Sequence, residues 1–276
     1  MSLTVGTAPF SREPAGRFNV EIDRSRSVLL WDPIPHRVRA LFAKETVVDS
    51  TRAVLLHETG LLPVYYFPQD DFREELLEPS PKSTHCPYKG DARYWHVEVG
   101  ERRAPDTVWA YPEPIESASF LAGYAALVWD SCDEWFVEDE QAFGHPRDPY
   151  ARIDVYTTTR HVRVLVRGEV LADSRRTKVL YETSLPPRYY FPAEDVRVEL
   201  LEPSSRRTRC AYKGSASYWN VRLDGGVVDD FVWSYPEPQH DAEQVRDLYC
   251  FFNERVDLEL DGKLVERPRT QWSRDD

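Results

Sequence analysis

The sequence lacks the long apolar runs of a membrane protein and the excess positive charge of a nucleic-acid-binding protein. No apolar run approaches the roughly 20 residues of a membrane helix. The net charge is −12, whereas nucleic acid and anionic lipid attract clustered cations. The first 18 residues show no cationic segment followed by an apolar one. We therefore expect a cytoplasmic protein with no nucleic-acid partner and no membrane partner.

Cysteine is scarce, and its spacing does not suit a metal site. The four cysteines stand at positions 86, 132, 210 and 250, with no CxxC pair and no zinc-finger spacing to histidine. We expect no metal and no cofactor. Disulfides are rare in the cytosol, and free cysteine is commonly buried, so reduced and packed thiols are expected.

Signatures of the large enzyme classes are also missing. The chain has no phosphate-cradling glycine-rich loop, no GxSxG elbow and no HExxH motif. Whether the protein is an enzyme is therefore left open by its motifs.

What the sequence does contain is a long internal repeat. Shifted by 124 residues, the chain aligns with itself without a gap, and 21 of the 33 residues at 65–97 are identical to their partners. The run Cys-Pro-Tyr-Lys-Gly at 86–90 meets Cys-Ala-Tyr-Lys-Gly at 210–214. Solenoid units repeat every 20 to 50 residues, so a period this long indicates two domains with separate cores.

The repeat defines a domain plan. Gly, Pro and mixed charge mark the connection between the copies. We predict an N-terminal arm at 1–28, a first domain at 29–140, a linker at 141–151, a second domain at 152–265 and a C-terminal tail at 266–276.

Short segments rich in β-branched and aromatic residues predict a mainly β fold. In the first copy these segments are 37–42, 52–57, 64–67, 93–99 and 107–111. In the second copy they are 161–166, 177–181, 188–191, 217–223 and 231–235. After each Tyr-Pro-Glu-Pro, a stretch from 116 and a stretch from 241 favour one short helix per domain. Each helix is expected to lead into a closing strand, near 125–130 and 248–252.

The segment 79–90 concentrates reactive side chains. In an extended strand Thr84, Cys86 and Tyr88 share one face, and Lys89 points to the other. A thiol or lysine nucleophile needs a neighbour that activates it. The simpler interpretation makes Cys86 a small buried residue and Tyr88 and Lys89 parts of a turn. The equivalents in the second copy are Thr208, Cys210, Tyr212 and Lys213.

A set of aromatic residues recurs at constant spacing. Trp95, Trp109 and Tyr111 return as Trp219, Trp233 and Tyr235. Residues two apart on a strand share a face, so Trp109 and Tyr111 stand side by side, with Trp95 on a neighbouring strand to complete an aromatic pocket. The alternative is an ordinary aromatic core.

These motifs resemble those of the bacterial and fungal family called domain of unknown function 427. The resemblance rests on Leu-Glu-Pro-Ser at 77–80, on Thr-x-Cys-Pro-Tyr-Lys-Gly with the following Tyr-Trp at 84–95, and on Trp-x-Tyr-Pro at 109–112. It covers roughly 31–137 and 155–260. The family sometimes carries a nucleotidyltransferase label, but neither copy combines paired carboxylates with a phosphate-binding loop.

The tryptophan spacing is also similar, over three residues, to the aromatic cage of cereblon's thalidomide-binding domain. That resemblance implies a β-tent-like antiparallel fold, here without the zinc, and a pocket for a small molecule.

Three functions follow as hypotheses. The first is a pair of small-molecule-binding domains with an aromatic-lined pocket, in which both copies bind alike. The second is an enzyme of unspecified chemistry that uses Cys86 or Lys89. The third is a structural or protein-interaction module, with the two copies forming an intramolecular pseudo-dimer.

Overall fold

Alternating apolar residues form antiparallel sheets in both halves of the chain. The computed structural model describes residues 3–223, 226–270 and 272–273. It divides into Met1–Asp148, here called domain one, and Pro149–Asp276, here called domain two. Each domain has one seven-stranded and one four-stranded antiparallel sheet. The predicted fold class, two tandem and mainly β domains, is confirmed.

Domain one contains a short N-terminal strand pair and the eleven strands of its two sheets. In chain order these are β1 (Thr7–Ala8), β2 (Glu13–Pro14), β3 (Leu29–Pro33), β4 (Val38–Phe42), β5 (Glu45–Ser50), β6 (Val54–Glu58), β7 (Leu61–Pro68), β8 (Leu77–Cys86), β9 (Gly90–Val99), β10 (Arg102–Ala110), β11 (Tyr124–Leu127), β12 (Glu134–Val137) and β13 (Glu140–Ala142). The large sheet has the order β3-β6-β7-β11-β10-β9-β8, and the small sheet has the order β13-β12-β4-β5.

Domain two repeats this arrangement. Its strands are β14 (Ile153–Thr157), β15 (Val162–Val166), β16 (Glu169–Ser174), β17 (Lys178–Glu182), β18 (Arg188–Phe191), β19 (Leu201–Cys210), β20 (Gly214–Leu223), β21 (Gly226–Pro238), β22 (Tyr249–Phe251), β23 (Asp257–Leu260) and β24 (Lys263–Val265). The large sheet has the order β14-β17-β18-β22-β21-β20-β19, and the small sheet has the order β16-β15-β23-β24.

Each of the ten predicted strands overlaps an observed one, but other strands were missed. The clearest case is β8, whose sequence LEPSPKSTHC is polar, largely exposed and carries two prolines. It lies at the edge of the large sheet. An edge strand tolerates proline and needs no apolar alternation, because one side of its backbone pairs with no neighbour.

The predicted helices are short 3-10 segments, and the first is interrupted by non-helical backbone at Ala118. They span Glu116–Leu121 and His240–Val245, and each leads into the expected closing strand, β11 or β22. The backbone turns extended at Ala122 and Arg246, which ends both helices before a longer segment forms. Further 3-10 turns span Gln69–Asp71, Glu74–Leu76, Trp129–Ser131, Ala193–Asp195 and Val198–Leu200.

Both faces of each large sheet are covered by packed side chains. Along β7, Tyr65 and Phe67 point into the core between the two sheets, and Tyr66 points to the outer face. On the outer face Tyr66 packs with Leu121 of the 3-10 helix. This alternation assigns every residue of the large sheet to one of two separate environments.

The described part of the N-terminal arm is bonded to the β6–β7 turn. The Gly60 amide donates to the Thr4 carbonyl over 2.8 Å, and the Thr59 hydroxyl donates to the Phe10 carbonyl over 2.9 Å. Among the residues that the structure describes, no helix has the length and apolar character to cross a membrane.

Candidate functional site

The outer face of the large sheet in domain one carries a buried ion pair. Lys89 follows β8, and its ammonium donates to the Glu58 carboxylate at the end of β6. Only 10% of the Lys89 side chain and 11% of the Glu58 side chain are exposed. The Lys89 Nζ lies 5.9 Å from the centre of the Tyr111 ring. The lysine is therefore fixed among protein groups.

The turn at 86–90 explains how Lys89 reaches this position. The Lys89 amide donates to the Cys86 carbonyl over 3.2 Å, which closes the turn. Gly90 then has a φ of +104°, and a Cβ there would lie 3.2 Å from the Glu113 carbonyl oxygen. Glycine suits a positive φ and a close backbone approach. The turn at Lys89 and Gly90 thus places the lysine side chain on the outer face of the large sheet.

Two hydrogen-bonded pairs flank the ion pair. Trp109 donates from Nε1 to the Tyr66 hydroxyl over 3.2 Å. At the open edge, the hydroxyls of Thr84 and Tyr94 lie 2.9 Å apart. Burial raises the pKa of Tyr66 and of Tyr111, so both phenols stay protonated at neutral pH. We call this set of residues the polar cluster. Its members are Glu58, Lys89, Tyr66, Trp109, Thr84, Tyr94, Tyr111 and the half-buried Cys86.

Domain two contains the same cluster at positions shifted by 124. Lys213 donates to Glu182, Trp233 donates to the Tyr190 hydroxyl over 3.3 Å, and the hydroxyls of Thr208 and Tyr218 lie 2.9 Å apart. Burial acts to lower the pKa of Lys213, but nearby groups, among them the Glu182 carboxylate that accepts from the amine, outweigh burial and raise it. This amine is therefore protonated at neutral pH and is not a nucleophile.

The predicted division of the motif between two faces is wrong for Lys89. Strand β8 ends at Cys86, and residues 87–89 form a turn. The turn returns Lys89 to the side occupied by Cys86 and Tyr111. The half-buried Tyr88 and the buried Tyr212 belong to the turns.

The predicted aromatic trio is also divided. In β9 and β10, Trp109 pairs with Tyr94, and Trp95 pairs with Val108. Trp109 and Tyr111 therefore lie on the outer face, and Trp95 packs into the core between the sheets. Trp219 is separated from Trp233 and Tyr235 in the same way.

The sequence interpretation missed Glu58, Tyr66 and Tyr94, which share the outer face with Lys89. The repeat contained a signal, because all three recur 124 residues later as Glu182, Tyr190 and Tyr218. The length of chain between Glu58 and Lys89 concealed their contact.

All four cysteines are free. Burial raises the pKa of Cys132 to about 12 and also raises the pKa of Cys250. These two thiols stay protonated at neutral pH, and a protonated thiol is a poor nucleophile. In the part of the chain that the structure describes, no group of three His, Cys, Asp or Glu side chains is arranged to hold a metal.

A cavity of about 490 Å³ lies on the other side of the large sheet, beside Trp95. Val108 and Ala125, both buried, form its floor, and Phe72, Leu77 and Trp95 form its walls. Trp95 and Leu77 are half-buried, so part of each faces the cavity opening. The interior is apolar and presents the rings of Trp95 and Phe72.

The rim of this cavity is polar and exposed. It consists of Gln69, Asp70 and Glu74 from the two 3-10 turns that follow β7. Asp70 is paired with Arg52 over 2.9 Å, and both side chains are largely exposed.

The position in domain two that is equivalent to this cavity is lined by a different residue. Where domain one has Ala125, domain two has Tyr249. The Tyr249 ring packs edge-on against Trp219, with 5.1 Å between ring centres. Domain two has a separate depression of about 360 Å³ between residues 170–173 and 194–197.

The fold and the polar cluster together define a class of protein. It consists of a duplicated antiparallel two-sheet domain with a buried Lys–Glu pair on the outer face of each large sheet. The sequence profile of the family described as domain of unknown function (DUF427) matches the chain twice, at residues 31–138 and 154–262. These matches cover more than three quarters of the chain. The chain belongs to this family, with one member domain in each half. A comparison with curated proteins finds no significant match.

Proposed function

We propose that the protein binds a small molecule in the cavity beside Trp95 in domain one. The observation that carries this proposal is the cavity itself. Its volume of about 490 Å³ falls in the range of roughly 300–1,000 Å³ that is typical of ligand pockets. Its apolar interior and polar rim also match the usual composition of such sites.

Contact with an aromatic ligand fits the chemistry of the walls. The Trp95 indole and the Phe72 ring both face the cavity. Aromatic rings attract other rings in stacked or edge-to-face contacts, beyond the gain from buried area. A planar or apolar molecule that enters the cavity therefore gains contacts that water does not provide.

The difference between the two copies favours a site in domain one. The Tyr249 ring stands against Trp219 in domain two, at the position where Ala125 leaves space beside Trp95. The expectation that both copies bind alike is therefore replaced by a proposal of one site.

The polar cluster supports a structural role more than a catalytic one. Both lysines are committed to a carboxylate, whereas a lysine nucleophile has to be uncharged. The free thiols accord with the cytoplasmic location that we propose, because reducing conditions keep cysteines unpaired.

The test uses indole, a neutral aromatic probe, with binding followed by ligand-observed NMR on the full chain. Ala125→Tyr places a ring in the cavity, as Tyr249 does in domain two, and should abolish binding. Ala125→Leu fills less space and serves as a second variant if the larger side chain disturbs folding. Tyr249→Ala should create an additional binding site beside Trp219.

The control is the urea unfolding curve of each variant, which should keep the slope of the parent protein. Indole binding that survives both folded Ala125 variants contradicts the proposed site. Absence of indole binding to the parent protein, together with absence of binding by the charged probe described below, contradicts the proposed function.

A further inference from the structure

The charged residues that line the Trp95 cavity are all acidic. Among the described residues that line it, Asp70 and Glu74 are negative and none is positive. Both carboxylates lie on the rim, above an apolar interior, and the whole chain carries a net charge of −12. An acidic opening over an aromatic wall attracts cations and repels anions.

The two rim carboxylates differ in their availability. Asp70 shares Arg52 with Asp71, so part of its charge is already neutralised. Glu74 is exposed, and no ion pair is found for it among the described residues. Its neighbour Glu75, in contrast, is paired with Arg73. Glu74 is thus the carboxylate that a ligand meets without displacing a protein cation.

Domain two lacks the Glu74 charge, although Glu194 keeps the charge of Asp70. The residue equivalent to Glu74 is Val198, and the residue equivalent to Gln69 is Ala193. Domain one therefore differs from domain two in cavity space, through Ala125, and in rim charge, through Glu74. The two differences occur at the same place, as expected if both serve one ligand.

We infer that the ligand of domain one is an organic cation, an ammonium group attached to an apolar or aromatic body. The body packs against Trp95 and Phe72, and the ammonium stays at the rim beside Glu74 and Asp70. The indole face adds attraction for the cation, because the electron-rich ring of tryptophan is the strongest cation–π partner among side chains. This inference rests on the proposed function.

The experiment compares three probes of similar shape by calorimetry with the full chain. Tryptamine carries an ammonium, 3-ethylindole is neutral, and indole-3-propionate carries a carboxylate. We expect tryptamine to bind about tenfold more tightly than 3-ethylindole. This ratio corresponds to about 1.4 kcal/mol of attraction between the ammonium and the two rim carboxylates and the Trp95 indole. Indole-3-propionate should bind most weakly. Added salt should weaken tryptamine binding and leave 3-ethylindole binding unchanged.

Variants at the rim test the charge directly. Glu74→Gln should weaken tryptamine binding by about two- to fivefold, the range for an exposed ion pair, and should not change 3-ethylindole binding. Glu101→Gln removes an exposed carboxylate from the β9–β10 turn, outside the cavity lining, and is the matched control. Because Glu74 and Glu101 are exposed, both variants should fold.

The outcomes separate the two proposals. Equal affinities for tryptamine and 3-ethylindole, both lost in Ala125→Tyr, overturn the cation inference and retain the ligand site. Tryptamine binding that is unaffected by Ala125→Tyr but weakened equally by Glu74→Gln and Glu101→Gln indicates general attraction to an acidic protein. That result overturns the inference.

Discussion

Lys89→Met tests whether the buried ion pair of domain one holds the fold. Methionine replaces the lysine stem but carries no charge, so the Glu58 carboxylate remains buried without its cation. With about a tenth of each side chain exposed, water compensates little. Breaking a buried pair by removing one partner costs about 3–5 kcal/mol. We expect the free energy of unfolding of domain one to fall by this amount.

The assay is urea unfolding, followed by tryptophan fluorescence, with amide hydrogen exchange to assign the loss to domain one. The double variant Lys89→Met/Glu58→Gln removes both charges and should recover part of the loss, as a coupling energy of about 0.5–3 kcal/mol. Lys213→Met is the matched variant in domain two, where Lys213 makes the same pair with Glu182.

A loss below about 1 kcal/mol, without recovery in the double variant, would refute this reasoning. The pair would then behave like an exposed salt bridge. A stabilising role would be ruled out, and a chemical role for the Lys89 amine would become the better explanation of the polar cluster.

Two further predictions concern the turn glycine and a buried pair specific to domain two. Gly214→Ala should destabilise its domain more than Gly90→Ala does in urea unfolding, because a Cβ at 214 would lie 2.6 Å from a backbone carbonyl oxygen. The positive φ by itself costs about 1–3 kcal/mol at either position. Equal losses of stability in the two variants would contradict the argument from this close contact. Arg188 holds Glu254 through two hydrogen bonds of 2.7 Å. Although burial acts to raise it, Arg188 keeps the pKa of Glu254 below its ordinary 4.5. The stability from this pair is therefore present above that pH and is lost as pH falls through the lowered pKa. Arg188→Val should cost about 3–5 kcal/mol at neutral pH and should remove this acid-dependent loss from thermal unfolding curves; an unchanged pH profile would show that Glu254 does not titrate with the pair.

The sequence predicted the fold better than the site, for physical reasons. Segments rich in β-branched and aromatic residues identify strands such as β4 and β7, because these side chains pack well on a pleated, buried surface. No such pattern exists in the polar edge strand β8, so it was missed. The repeat gave the number of domains directly, since a shared fold preserves its spacing.

The prediction of the site from the sequence failed where the register between strands decides which residues are in contact. The spacing of two residues correctly placed Trp109, in β10, and Tyr111, just after β10, on one face. It did not show that Trp95 lies opposite Val108 on β9, which puts Trp95 on the other face. A register displaced by one residue would have reversed this result, and the spacing within one strand does not give its register with the next. The contact between Lys89 and Glu58 was hidden for another reason, because the two residues are 31 positions apart in the chain.

The duplication offers a way to separate fold from function within one chain. Glu58, Lys89 and Gly90 are identical in both domains, and they form one set of contacts twice. Such shared contacts are what a common fold requires. Ala125 and Glu74 instead differ between the domains, and both line the cavity that we propose as the ligand site. If the two domains have diverged in function, the functional difference must lie at positions where their residues differ, because a shared set of contacts gives both domains the same properties. Substitutions exchanged between the domains at these two positions are therefore more informative about function than substitutions in the prominent Cys-Pro-Tyr-Lys-Gly motif.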